Sequence, residues 1–178
     1  MQMLIRIADA IDAINTRIGR IISWLTLVMI IVGFFNVVLR YSGRWLEVNL
    51  TSNMALEAQW YMFGLVFLLL GAYTLQQDRH VRVDVLYSRL GPRGQAWINL
   101  VGAVVFLVPF CLLIIWVSWP FITATVAVWE SSPDPGGLPR WPIKFAIPVG
   151  CVLVAAQGVA MAIRSAAVLS GHADMENA

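Results

Sequence analysis

Four long apolar stretches run through the chain without a single charged side chain. They cover Ile21–Leu39, Ala58–Leu75, Ala96–Phe121 and Phe145–Ile163. Because an α-helix rises about 1.5 Å per residue, about 20 apolar residues cross the roughly 30 Å of hydrocarbon in a bilayer. The pattern therefore predicts an all-α integral membrane protein with four transmembrane helices. The predicted spans cover 21–39, 56–76, 96–121 and 143–164.

The first 20 residues have a different pattern, in which apolar residues recur at alternating spacings of three and four. These residues are Leu4, Ile7, Ile11, Ile14 and Ile18. Such spacing puts them on one helix face and predicts an amphipathic N-terminal helix, an arm over 1–20. We expect this arm to lie along the membrane surface or to pack on a partner. With the four spans and a tail over 165–178, it would complete a single membrane domain over 1–178.

The connection between the second and third spans contains the polar sequence His80-Val81-Arg82-Val83-Asp84. Asp84 is a suitable N-cap for a short helix over Val85–Leu90. Gly91 would end that helix, and Pro92 just beyond it would stop any continuation. The sequence thus predicts a short interfacial helix before the third span.

The connection before the fourth span is the least helix-like part of the chain. Three prolines and two glycines lie between Ser131 and Arg140, and these residue types favour turns. Within the fourth span, small residues recur along one stripe, at Ala155, Gly158, Ala162 and Ala166. Small side chains let another helix approach closely, so this stripe is a candidate packing face.

Composition and charge agree with a membrane protein and predict its orientation. Hydrophobic residues make up 60% of the 178 residues, and the mean hydropathy is +0.77, whereas soluble domains are roughly half apolar. Eight Lys and Arg residues lie in the arm, the second connection and the tail, against four in the other two connections. The positive-inside rule then places both termini in the cytoplasm.

Glu57 is the carboxylate nearest to membrane depth, at the start of the second span. An acid at such a position is a candidate for ion coupling. One interpretation makes the chain an autonomous small transporter or exporter that uses Glu57. The other gives Glu57 a salt bridge or hydrogen bond at the outer face of the membrane.

Other candidate chemistry is sparse. His80, Arg82 and Asp84 form a compact polar group, which is a weak metal signal and more typical of a contact with a partner or with lipid headgroups. Both histidines, His80 and His172, lie outside the spans, whereas a membrane haem anchor usually holds its haem with histidines inside the helices. No phosphate-binding loop, nucleophile elbow or zinc spacing is present. We therefore expect a non-enzyme without cofactor, metal or nucleic acid.

Several of the eight tryptophans lie near the ends of the predicted spans. They are Trp45, Trp60, Trp97, Trp119, Trp129 and Trp141. Tryptophan is enriched at membrane–water interfaces, so these residues predict an interfacial aromatic belt rather than a cofactor site.

Blocks of sequence from about residue 40 to residue 164 resemble a known family in their order and spacing. They are Leu56-Glu57-Ala58-Gln59-Trp60-Tyr61, Leu70-Gly71-Ala72-Tyr73-Thr74-Leu75, His80-Val81-Arg82-Val83-Asp84, Glu130-Ser131-Ser132-Pro133, Gly136-Gly137-Leu138-Pro139-Arg140-Trp141-Pro142-Ile143-Lys144, Ile147-Pro148 and Gln157-Gly158. Together they resemble the small membrane subunit of tripartite ATP-independent periplasmic (TRAP) transporters, the DctQ-like family.

The resemblance implies a four-span subunit of the bacterial inner membrane that binds a large multi-span transport subunit. A periplasmic substrate-binding protein would deliver an organic anion of the carboxylate type, and an ion gradient would drive its uptake. The large subunit would hold the substrate and ion sites, and this chain would brace it as a small accessory subunit.

The resemblance also assigns roles to the connections. The connection before the fourth span would face the periplasm and contact the binding protein or the large subunit. His80–Asp84 would lie in the cytoplasm, against the large subunit or lipid. The candidate interface or structural residues are Glu57, Trp60, His80, Arg82, Asp84, Glu130, Gly136, Gly137, Leu138, Pro139, Trp141, Lys144, Gly158 and Ala162.

Overall fold

A computed structural model describes residues 1–48, 50–80 and 87–171 of the chain. The helices are α1 (Gln2–Leu46), α2 (Asn53–Gln76), α3 (Pro92–Val101), a π-helical segment (Gly102–Leu107), α4 (Val108–Ala127) and α5 (Trp141–Leu169). Within the described residues, the only extended pairing is an isolated antiparallel bridge between Ser131 and Pro139. The all-α prediction is confirmed.

Among the residues that the structure describes, four continuous helices are long and apolar enough to cross a membrane, as predicted. They are Gln2–Leu46, Asn53–Gln76, Pro92–Ala127 and Trp141–Leu169. Large apolar side chains such as Phe67, Phe106 and Trp116 are 69–75% exposed. Exposed groups of this kind suit a surface that faces lipid rather than water. Orientation across the membrane stays a prediction.

α1 joins the predicted arm and the first predicted span in one helix of 45 residues. At about 1.5 Å per residue this helix is roughly 68 Å long, about twice the hydrocarbon thickness. It ends where Glu47 adopts a left-handed conformation, with φ 53°. The helix is therefore much longer than a single membrane crossing requires.

The third spanning helix changes its winding before a proline. Over Gly102–Leu107 the backbone is π-helical, and the Val108 N–H donates to the carbonyl of Ala103, five residues earlier. Pro109 follows at once; its ring cannot donate a hydrogen bond and crowds the preceding turn of a regular helix. The wider π turn accommodates this crowding.

α5 is the central helix of the bundle, because it packs against α1, α2, α3, the π-helical segment and α4. Its buried residues are mostly small, which permits close approach. A Cβ built on Gly150 would lie 2.7 Å from the backbone carbonyl oxygen of Leu68 in α2. A Cβ on Gly158 would lie 2.8 Å from the side chain of Leu107.

The second connection is described only in part. His80 is exposed, and its Nε2 lies 3.3 Å from the carbonyl oxygen of Gly71. Arg82, Asp84 and the first two residues of the predicted helix over Val85–Leu90 fall outside the described residues, as does the tail beyond residue 171.

Candidate functional site

The connection between α4 and α5, residues 128–140, folds into a compact hairpin-like loop. The Ser132 N–H donates to the Leu138 carbonyl over 3.1 Å, and the Arg140 N–H donates to the Glu130 carbonyl over 2.8 Å. At the tip, the backbone reverses through Gly136, whose φ of +74° suits glycine. The loop thus forms several of its own backbone hydrogen bonds without regular secondary structure.

Glu57 of α2 binds this loop with both carboxylate oxygens. Its Oε2 accepts a 2.6 Å hydrogen bond from the Leu138 N–H, and its Oε1 accepts one from the Ser132 hydroxyl. The Arg140 guanidinium lies 3.3 Å from Oε1. Glu57 is only 4% exposed, and a buried carboxylate is stable only when it is paired in this way. We call Glu57, Ser132, Leu138 and Arg140 the loop clasp.

Neighbouring residues of α2 reinforce the loop clasp. The Tyr61 hydroxyl donates to the Pro139 carbonyl over 2.5 Å, and the Asn53 amide donates to the Pro135 carbonyl over 3.1 Å. The Arg140 guanidinium also lies over the Trp60 ring, 4.9 Å from its centroid. One side of the loop is therefore fixed to the first three turns of α2.

Gly137 allows the close approach of loop and carboxylate. A Cβ at this position would lie 2.8 Å from Glu57 Oε2 and would also overlap the Ser132 side chain. Any larger residue would push the loop away from α2, so glycine is required by space rather than by backbone conformation.

A second polar contact joins the base of the loop to α5. The Lys144 ammonium lies 2.5 Å from Glu130 Oε2 and 2.6 Å from the Thr125 hydroxyl. The hydrogen bond from Lys144, with a second from Thr125, lowers the pKa of Glu130 below its ordinary value. Nearby, the Trp141 ring makes edge-to-face contacts with Trp129 and Phe145.

This ion pair predicts an acid-sensitive contribution to stability. Because the folded pKa of Glu130 is depressed, its ionised form stabilises the fold above the pKa of an unfolded glutamate, about 4.3. That stabilisation is lost as the pH falls through the lower folded pKa. We expect Glu130→Gln to flatten the fall in Tm between about pH 5 and pH 3, measured by thermal unfolding in detergent. Asp134→Asn removes an exposed carboxylate of the same loop, and its Tm should fall with pH as steeply as that of wild type. If the Tm of Glu130→Gln also fell as steeply as that of wild type, the stabilising role of the Glu130–Lys144 pair would be contradicted.

A separate polar network joins α1 to α5 near the other end of the bundle. The Asn15 amide donates to Gln157 Oε1 over 2.7 Å, and the Gln157 amide donates to Asp12 Oδ1 over 2.8 Å. The Arg164 guanidinium pairs with Asp12 and, over 2.9 Å, with Asp9. We call these five residues the α1–α5 network. It fixes the predicted arm to the bundle along a polar side of α1.

The structure brings many of the sequence-predicted site residues together and leaves others apart. The loop and its supports contain Glu57, Trp60, Glu130, Gly136, Gly137, Leu138, Pro139, Trp141 and Lys144. Gly158 packs on the third spanning helix, Ala162 lines an apolar groove with Val108 and Val159, and His80 lies elsewhere.

Sequence reasoning missed several partners in these clusters. Ser132, Tyr61 and Arg140 lay inside recognised sequence blocks, but nothing in their spacing showed that Ser132 and Arg140 bind Glu57 or that Tyr61 binds the Pro139 carbonyl. For the α1–α5 network a signal was present, because Gln157 is a polar residue inside an otherwise apolar span. Its partner Asn15, 2% exposed, could not be identified without knowing how α1 packs.

The polar side chains of these clusters bind one another. Among the described residues, no group of three His, Cys, Asp or Glu side chains is placed to hold a metal ion. No buried side-chain nitrogen or oxygen in the described part lacks a hydrogen-bond partner. The buried polar side chains in the described part of the bundle are thus all hydrogen-bonded.

Comparison with known proteins gives the family. Residues 29–168 match the family described as tripartite ATP-independent periplasmic transporters, DctQ component. A TRAP transporter small permease protein of Haemophilus influenzae is 33% identical over 135 residues, covering 76% of this chain and 78% of that protein. No solved structure gave a significant match. Together with the four apolar helices, these matches show that the chain is a multi-pass protein of the bacterial inner membrane and belongs to the DctQ family of TRAP transporter small permease subunits.

Proposed function

We propose that this chain is the accessory subunit that braces a large multi-span TRAP membrane subunit. The complex would take up an organic anion, of the carboxylate type, that a periplasmic substrate-binding protein delivers. An ion gradient would drive the uptake. In this scheme the chain contributes no catalysis, and its partners are the large subunit, the binding protein and membrane lipids.

One observation carries this proposal: both oxygens of the buried Glu57 carboxylate are already bound within the chain. Glu57 is buried, and both its oxygens are bound by the loop and Arg140. The charge-free stretches of the four helices offer no other acid or base. A path for ions through the bundle needs groups that can bind and release them, so the bundle is better suited to support than to conduction.

The same observation weighs against an autonomous transporter that uses Glu57. A coupling acid must exchange its ion or proton with water on each cycle. Here that exchange would break two hydrogen bonds and the contact with Arg140, and it would release the loop each time. We therefore place Glu57 in a structural role.

The loop clasp suggests which surface meets a partner. With both termini in the cytoplasm, residues 128–140 would face the periplasm, and the clasp would hold the loop in a fixed shape. The loop presents Trp129, 73% exposed, beside Trp141, 36% exposed. A rigid surface with exposed tryptophan is typical of contact sites, here toward the large subunit or the binding protein.

Reconstitution distinguishes the two functions. We expect proteoliposomes with this chain alone to show no uptake, and uptake to appear when the large subunit and the binding protein are both added. Omitting this chain from the complete system should abolish or strongly reduce uptake. Ion-driven uptake by this chain alone, or failure to co-purify with a larger membrane protein, would contradict the proposal.

A further inference from the structure

The end of α1 forms a hollow beside two arginines. Glu47, with φ 53°, turns the chain back, and the Val48 N–H donates to the Gly43 carbonyl over 3.0 Å. A Cβ on Gly43 would lie 2.5 Å from the Val48 carbonyl oxygen, so the returning chain packs directly on the helix. The resulting cavity has a volume of about 650 Å³. Its lining includes Val37, Arg40, Tyr41, Arg44, Glu47 and Leu50.

The two arginines at this hollow form no ion pair within the described part of the chain. Arg40 and Arg44 are four residues apart and therefore share one helix face. Both are exposed, and among the described residues no carboxylate forms an ion pair with either of them. Two adjacent guanidinium groups favour a phosphate, which accepts paired hydrogen bonds from arginine.

The hollow lies at the point along α1 where lipid headgroups are expected. Nineteen residues without charge, Ile21–Leu39, separate Arg20 from Arg40. At about 1.5 Å per residue this is close to the 30 Å hydrocarbon thickness, so Arg40 reaches the membrane–water interface. Tyr41 and Trp45, 63% and 89% exposed, add the aromatic side chains that are enriched at that level.

The lining also has the mixed chemistry of a phospholipid. Val37 and Leu50 supply apolar surface, the arginines supply positive charge, and Glu47 supplies one carboxylate. A carboxylate disfavours a purely anionic headgroup and favours one that also carries an ammonium group. We propose that this hollow binds an aminophospholipid of the phosphatidylethanolamine type, in the leaflet at the C-terminal end of α1. Arg40 and Arg44 hold its phosphodiester and Glu47 meets its ammonium.

Native mass spectrometry of the delipidated full chain tests this assignment. Phosphatidylethanolamine, phosphatidylglycerol and diacylglycerol with the same acyl chains are added in turn. We expect the double variant Arg40→Gln/Arg44→Gln to retain phosphatidylethanolamine about tenfold less than wild type, as expected for loss of charge-assisted hydrogen bonds. Arg17→Gln/Arg20→Gln, at the opposite end of the same apolar run, should retain it as wild type does. Glu47→Gln should shift preference toward phosphatidylglycerol.

Several results would overturn the proposal. Equal retention of diacylglycerol would show that the phosphate is not recognised, and displacement by millimolar inorganic phosphate would indicate a free-anion site. The Arg40/Arg44 variant could instead retain lipid as wild type does but no longer co-purify with the large subunit. That result would show that the hollow contacts a protein and not a lipid. Because Arg40 and Arg44 are exposed, the variants should keep the wild-type helical circular dichroism. None of these readouts depends on transport.

Discussion

Glu57→Gln is expected to release the 128–140 loop from α2 and to lower the Tm of the chain by roughly 5–10 °C. The neutral amide loses the charge that faces Arg140, and its NH₂ group points a donor at the Leu138 N–H or the Ser132 hydroxyl. Thermal unfolding in detergent measures the fall in Tm. Hydrogen exchange measures the release of the loop, and the Leu138 amide should exchange at least about tenfold faster.

The control for this substitution is Asp134→Asn, because Asp134 is an exposed carboxylate of the same loop. Its Tm should stay within about 2 °C of wild type, as is usual for surface changes. In the complete transporter, Glu57→Gln should reduce uptake while the remaining uptake keeps its ion dependence. Unchanged Tm and exchange together with loss of ion dependence would instead make Glu57 a coupling acid.

Gly150→Ala is expected to destabilise the bundle by about 2–3 kcal/mol, a typical cost of overpacking a tight contact. The new methyl group would meet the Leu68 carbonyl oxygen at 2.7 Å. That oxygen belongs to the backbone of α2, so the clash is relieved only if α2 and α5 separate. Separation would also strain the loop clasp, because Arg140 binds Glu57 of α2 and directly precedes α5. Reversible unfolding in mixed micelles measures the change.

Two other glycines provide a graded comparison with the same chemical change. Gly102 has no atom within 4 Å of a built Cβ, so Gly102→Ala should be neutral or slightly stabilising. In Gly158→Ala the new methyl group would lie 2.8 Å from the Leu107 side chain. Because that side chain can move, the loss of stability should be intermediate between those of the other two substitutions. Equal effects at all three positions would show that helix propensity, and not helix spacing, governs these sites.

Sequence reasoning succeeded where the physics is local and periodic. A run of about 20 apolar residues has few alternatives to a membrane helix, because backbone groups in hydrocarbon must bond within their own segment. The four spans followed from that constraint. The prolines and glycines before Arg140 likewise predicted a turn-rich loop, and the loop has left-handed backbone at Gly136.

The sequence did not predict the contacts between segments that are far apart in the chain. Glu57 is separated from Ser132 by 75 positions and from Leu138 by 81, and no periodicity relates them. The same holds for Asn15 and Gln157, which are 142 positions apart. Whether Glu57 was a coupling acid or a structural one could not be read from its neighbours in sequence.

The amino-acid sequence by itself determined that four segments are long and apolar enough to cross the membrane, because hydrocarbon acts on each segment independently. It also carried the blocks that mark the DctQ family. Only the tertiary structure showed which partners the polar residues bind. A buried carboxylate acts through whichever donors surround it, and those donors come from a loop that only the packing of α5 against α2 brings into place.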